Sequence, residues 1–284
     1  MEIKKIAVIG AGVMGADVAF DLASHGYDVI LKDIDDDRLD EAREKIRKGF
    51  RGYRMVKAEL KDSSPEAILN KIHFTGSYED FLDVDLVIEN VPEDWEIKKS
   101  VYTEVREVCR PSTFYAVNTS CISITKIANL MPRPELVLGM HFMNPVPMKN
   151  LVEVIRGLHT AEETIATMKA FLKTLNKNAV VVMDFPGFVS NRLSHLFMNE
   201  AAFLVQDQVA SPKDIDKIFK QGYGHDMGPL ETADLIGLDT VVNSLRILYE
   251  SYEDPKFKCC PLLKKMVDAG YCGKKSGRGF YEYT

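Results

Sequence analysis

The chain has 284 residues, of which 46% are hydrophobic and 27% charged. That length allows one or two domains, and the apolar fraction excludes long disorder and low-complexity fibre. Its 36 basic and 42 acidic residues leave a net charge of −6, which argues against a broad nucleic-acid interface but not against a local basic patch for a phosphorylated ligand.

In chain order, Lys5 to Gly10 is a continuous apolar run suited to a parallel strand buried on both faces. A helix follows from about Val13 to His25, with Val18, Ala19, Leu22 and Ala23 on one stripe and Gly26 as its stop. Asp28 to Asp33 reads as a second strand. Residues 36–72 have a helical, heavily charged pattern: positions 41–61 hold eight Lys or Arg and three Glu. That stretch is either a solvated helix face or a clamp for ligand phosphates. Strands are expected at Ile72–Phe74, Asp85–Glu89, Thr113–Asn118, Leu136–His141, Leu151–Ile155 and Ala179–Val182, with helices near 94–109, 123–131 and 161–175. This alternation predicts an α/β fold with a Rossmann-type doubly wound sheet.

After Asp184 the pattern changes. Pro186-Gly187 breaks the chain, and only helical periodicity follows, at 188–209, 212–221, 230–236, 238–252 and 260–269. We therefore expect a dinucleotide-binding domain over 1–184 and an all-α C-terminal domain over 185–284. The basic, glycine-rich tail from Gly273 is either a docking turn or an irregular terminus. Lys4 and Lys5 before an apolar run imitate a signal peptide, but that run contains three glycines and meets Asp17. No stretch reaches the ~18–20 apolar residues of a membrane span. Cysteines at 109, 121, 259, 260 and 272 are odd in number and lack a Cys-x-x-Cys pair. They read as reduced thiols of a cytoplasmic protein, not as a disulfide frame or metal site.

Gly10-x-Gly12-x-x-Gly15 lies between a strand and a helix, the context that gives this pattern meaning. Gly10 allows the tight turn, Gly12 lets backbone approach a pyrophosphate, and Gly15 lets helix and strand pack closely. The helix N-terminus at Val13 and Met14 then offers N–H groups to phosphates. Asp33, 18 residues beyond Gly15, ends the second strand. Its carboxylate can accept from both ribose hydroxyls and would repel a 2′-phosphate, so NAD is favoured over NADP.

A nicotinamide enzyme that oxidises an alcohol needs a group to take the hydroxyl proton, and histidine suits neutral pH. Of six histidines, His25 is expected to face solvent, His73 and His159 lie at element edges without an obvious partner, and His195 and His225 fall in the helical half. His141 ends a strand, where ligands of open α/β sheets bind. Glu153 is a charge within an apolar strand, and a buried carboxylate needs a partner. Either the two meet and the carboxylate orients the ring, or they lie apart; spacing alone leaves both open. Ser120, taken alone, reads as the N-cap of the helix after it ahead of a site hydroxyl.

Eight motifs occur in order: Gly10-Ala-Gly-Val-Met-Gly15, Leu86-Val-Ile-Glu-Asn90, Asn118-Thr-Ser-Cys121, His141-Phe-Met-Asn-Pro145, Leu151-Val-Glu-Val154, Pro186-Gly-Phe-Val-Ser-Asn-Arg192, Met227-Gly-Pro-Leu-Glu231 and Lys275-Ser-Gly-Arg-Gly-Phe-Tyr281. Through them the chain resembles the L-3-hydroxyacyl-CoA dehydrogenases, including bacterial 3-hydroxybutyryl-CoA dehydrogenases, over nearly its whole length. The resemblance implies His141 as general base, Glu153 as its orienting partner, and Ser120 and Asn191 as donors to the substrate's 3-oxygen, with Asn144 also on the substrate side. It implies Glu89, Lys98 and Asn118 near the nicotinamide end of the cofactor. It also implies a homodimer acting on short acyl-CoA thioesters in fatty acid metabolism.

The sequence departs from the family pattern at Cys121 (commonly Ser), Met143 (Phe), Asn90 (a small residue) and Asp226 (often Pro). Nor do Lys57, Lys61 and the nearby arginines align with the family's lysine-bearing clasp over CoA. Three alternatives follow. The hydroxyacyl group could ride on an acyl carrier protein; the chain could be an inactive NAD-binding structural protein; or it could belong with the β-hydroxyacid dehydrogenases. The last use a lysine in a Gly-x-x-x-Asn-Lys pattern that the helical half lacks.

Overall fold

The computed structural model describes residues 3–57 and 60–283. The chain divides into two compact units, Met1–Asp184 and Phe185–Thr284. The first opens with β1 (Lys5–Ile9), α1 (Val13–Ser24), β2 (Asp28–Lys32), α2 (Asp36–Val56), α3 (Pro65–Leu69) and β3 (Ile72–Thr75). It continues through β4 (Leu86–Glu89), α4 (Trp95–Val108), β5 (Phe114–Val117), α5 (Ile124–Ala128) and β6 (Val137–Phe142). β7 (Leu151–Arg156), α6 (Glu162–Thr174) and β8 (Asn178–Met183) complete it.

The eight strands form one sheet in the order β3-β2-β1-β4-β5-β6-β7-β8. β3 through β6 are mutually parallel; β7 runs antiparallel to β6, and β8 runs with β7. β1 lies between β2 and β4, so the chain reverses direction of winding there. The crevice beyond the carboxyl ends of β1 and β4 is therefore the ligand-binding place of such a sheet. Helices cover both faces, which is why the consecutive Ile6, Ala7, Val8 and Ile9, and likewise Leu86, Val87 and Ile88, are all buried without the alternation of a half-exposed strand. The outermost strand, β8, is the exception, with Val180, Val181 and Met183 exposed.

The 36–72 stretch is not one helix. α2 ends at Val56, and a second start follows at Ser64, whose side chain accepts from the Ala67 N–H ahead of Pro65 at the first helical position. Several of its basic residues also turn inward. Arg43 lies over the Phe74 ring, Lys45 ion-pairs with Asp17 at 2.7 Å, and Lys57 with Asp21 at 2.9 Å. Lys48, Arg51, Arg54 and Lys61 remain exposed.

The second unit contains α7 (Ser190–Gln206), α8 (Pro212–Gly222), α9 (Pro229–Ile236), α10 (Leu238–Tyr252) and α11 (Pro261–Asp268). Met198, Ala202, Ala233, Leu238, Val241, Leu245 and Leu263 form its core. The tail is a docking turn: the fully buried Asp234 accepts from the Phe280 and Tyr281 N–H groups and the Tyr283 hydroxyl, each at 3.0 Å. All five cysteines are free thiols. Among the described residues, no helix is long and apolar enough to cross a membrane.

Candidate active site

The glycines of the first turn answer to different demands. Gly10 has φ +94°, and a Cβ there would lie 2.8 Å from the Asn90 carbonyl oxygen. A Cβ at Gly15 would overlap the Gly10 carbonyl. Both positions require glycine for the protein's own packing. Gly12 does not: its φ is −66°, and a Cβ would meet nothing within 4 Å. Backbone left bare toward open space suits a ligand lying on the turn. α1 has no side-chain cap and no acid in its first turn, so the N–H groups at Val13 and Met14 are presented to an anion.

Asp33 stands beside this turn, half-buried. One of its oxygens accepts from the Ala11 N–H at 2.7 Å and the other from the Ile34 N–H at 2.8 Å. Each oxygen keeps a further lone pair for a ribose hydroxyl. A bare glycine, an uncapped helix and a pinned carboxylate fit a dinucleotide without a 2′-phosphate.

Farther along the same sheet, β6 and β7 are paired so that His141 lies directly opposite Glu153. Cross-strand neighbours share a face, and the His141 Nδ1 is 2.9 Å from the Glu153 Oε2. The residues are 8% and 3% exposed. A carboxylate only accepts, so Nδ1 carries the hydrogen. The other ring nitrogen, Nε2, lies 3.3 Å from the Ser120 Oγ, and when it carries no hydrogen it can accept from that hydroxyl.

Ser120 is not a helix cap. Ser123 has that role for α5, accepting from the Lys126 N–H at 3.3 Å. The turn bearing Ser120 is folded around Glu93 instead. One Glu93 oxygen accepts from the Thr119 hydroxyl at 2.6 Å and from the N–H groups of Ser120, Cys121 and Ile122 at 3.1, 2.7 and 3.1 Å. Sequence reasoning missed Glu93; its signal was an acid just past a strand's carboxyl end, four residues after Glu89. Cys121 is buried and its backbone belongs to this arrangement.

Glu89 and Lys98 are both fully buried, with Lys98 Nζ 2.7 and 2.8 Å from the two Glu89 oxygens. Burial pushes the Glu89 carboxyl upward, and the Lys98 ammonium opposes that push. Lys98 also reaches the carbonyls of Val91 and Asn118 at 3.4 Å, joining the ends of β4 and β5. The Asn118 amide donates to the Asn90 side chain at 2.7 Å, and the Asn90 backbone lies under Gly10. Asn90 thus links the glycine turn to the strand beside His141.

Asn144 is exposed on the connection after β6. Asn191 lies in the other unit, half-buried in the first turn of α7, where its carbonyl is 2.8 Å from the His195 Nδ1. Two expectations for the remaining histidines are corrected. The His25 side chain is buried and 2.7 Å from the Asp21 carbonyl, and His73 pairs with Asp80 at 3.0 Å on the surface. Burial pushes His195 down, toward its neutral form. Of these rings, His141 is the one at a strand's carboxyl end held by a buried carboxylate.

Fold and site together define a Rossmann-type oxidoreductase. Residues 5–185 match the model of the 3-hydroxyacyl-CoA dehydrogenase NAD binding domain, and residues 187–283 that of the C-terminal domain of the same enzymes. The chain belongs to the 3-hydroxyacyl-CoA dehydrogenase family. It is 42% identical over 283 residues to a probable 3-hydroxybutyryl-CoA dehydrogenase of Bacillus subtilis, covering 100% of this chain and 98% of that protein. A 3-hydroxybutyryl-CoA dehydrogenase of Clostridioides difficile is 43% identical over 280 residues, covering 99% of each chain. The crystal structure of (S)-3-hydroxybutyryl-CoA dehydrogenase from Ralstonia eutropha superposes with a TM-score of 0.93 at 37% identity, covering 100% of both.

Proposed function

We propose that this protein is an NAD-dependent dehydrogenase that interconverts L-3-hydroxyacyl-CoA and 3-oxoacyl-CoA, with short chains of the 3-hydroxybutyryl type as substrate. The line from Glu153 through His141 to Ser120 carries this reading. NAD, held at Gly10, Gly12, Val13, Met14, Gly15 and Asp33, supplies the hydride acceptor. The His141 Nε2 takes the proton from the 3-hydroxyl, and Glu153 stabilises the imidazolium that results. Ser120 donates to the 3-oxygen as it becomes a carbonyl. In reverse, His141 returns the proton. Asn144 stays on the substrate side, and Asn191 is assigned to the same oxygen by its Pro-Gly-Phe-x-x-Asn-Arg motif. Asn118, Glu89 and Lys98 shape the nicotinamide end, the last two from beneath the surface.

The exposed Lys48, Arg51, Arg54 and Lys61 suit the phosphates of CoA, and the names of the relatives support CoA as the carrier. The free thiols suit the cytoplasm, and the C-terminal unit is assigned to homodimer formation. The test is NADH consumption with acetoacetyl-CoA, the same acyl group on an acyl carrier protein, and NADPH in place of NADH. Turnover with NADH and the CoA thioester is expected. Tight NADH binding without turnover of either thioester would remove the catalytic reading, and preference for the carrier-bound group would move the substrate.

A further inference from the structure

Asp21 lies on the buried side of α1 and is 1% exposed. A carboxylate among Val18, Leu22 and Ala23 needs cations. Two lysines reach it, Lys57 Nζ at 2.9 Å from Oδ1 and Lys177 Nζ at 3.0 Å from Oδ2, with the His25 Nδ1 farther off at 4.0 Å from Oδ1. Lys177 is itself 3% exposed and donates to the carbonyls of Val146 at 2.8 Å and Lys149 at 2.9 Å. The ammonium thus donates to two carbonyls and stands at ion-pair distance from the Asp21 carboxylate.

The two carbonyls belong to the connection between β6 and β7. That connection carries Asn144 and joins the two arms that bear His141 and Glu153. The carboxylate on the other side belongs to α1, whose N-terminus faces the dinucleotide site. One buried lysine therefore ties the helix of the cofactor site to the hairpin of the proton-transfer pair. None of the residues involved is within 20 positions of Lys177 in sequence.

We propose that Lys177, anchored by Asp21, is a positioning residue for hydride transfer: it fixes the β6–β7 connection relative to the helix that holds the cofactor. The proposal rests on the dehydrogenase reading above. Neither side chain touches reacting atoms. Their effect runs through geometry, where displacement of about 1 Å can cost as much as 10²-fold in rate.

The test compares the full-length parent with Asp21→Asn, which keeps shape and an acceptor, and with Lys177→Met. Turnover is measured with acetoacetyl-CoA. NADH affinity is read by energy transfer from the single tryptophan, and backbone mobility by hydrogen exchange in a peptide spanning 143–150. The expected result is a roughly 10- to 100-fold fall in kcat, NADH affinity within about twofold of the parent, and faster exchange in 143–150. Unchanged kcat and exchange in a folded Asp21→Asn protein would overturn the proposal. So would failure of that variant to fold, which would make the cluster a stability element. If the parent itself turns over no thioester, the dehydrogenase reading fails, while the exchange result still decides whether Lys177 and Asp21 hold the hairpin.

Discussion

Glu89 and Glu153 stand in one sheet, and each holds a basic side chain within 3 Å. The first pair, with Lys98, is fully buried on both sides, and its lysine is shared with two backbone carbonyls. The second, with His141, is sealed only on the carboxylate side, and its outer nitrogen faces a serine hydroxyl. The chemistry of the two pairs is similar, but only one has an exit for a proton. A closed ion pair braces the ends of strands; a half-open one can exchange a proton with a ligand.

That contrast can be broken most forcefully at the open pair. His141→Ala should lower kcat by ~10²–10⁴ with cooperative unfolding retained, and Glu153→Gln should follow with a loss of about 10²-fold by leaving the ring unsupported. Steady-state kinetics alongside thermal unfolding measures both, and near-parental kcat in folded His141→Ala would remove that residue from proton transfer.

At the closed pair the effect should move from rate to stability. Lys98→Met strands the Glu89 charge in the interior, and breaking a buried pair this way costs about 3–5 kcal/mol. Urea unfolding would show it. A variant of parental stability whose kcat falls as far as that of His141→Ala would place Lys98 in the chemistry instead.

The smallest effects separate two serines three residues apart. Ser123 caps α5 and also bonds Asp184 at 2.8 Å, so Ser123→Ala should lower stability by about 1 kcal/mol and leave kcat near its parental value. Ser120→Ala should do the reverse, lowering kcat with unfolding unchanged. Equal behaviour of the two would erase the distinction between cap and site.

What the sequence showed and what it hid divide along contact range. The glycine turn and the strand-helix alternation up to Asp184 are local patterns, readable from period and from Gly, Pro and Asp placement. The second helix start at Ser64-Pro65 was also local, yet the charged periodicity of 36–72 concealed it. Which serine capped α5 depended on how the 118–123 turn folded around Glu93, a residue more than 20 positions away. His141 and Glu153 could be named as candidates, but only the antiparallel register made them neighbours. The inward course of Lys45, Lys57 and Lys177 toward Asp17 and Asp21 left no trace in spacing, because an exposed and an anchored lysine look alike in one dimension.

Proton transfer depends most directly on where the His141 Nε2 points when substrate is present. A crystal structure of the protein with NAD and acetoacetyl-CoA should place that nitrogen at about 2.6–3.2 Å from the 3-oxygen, with Glu153 still on Nδ1. A complex in which the 3-oxygen lies beyond hydrogen-bond reach of His141 while another acid or base contacts it would contradict the account.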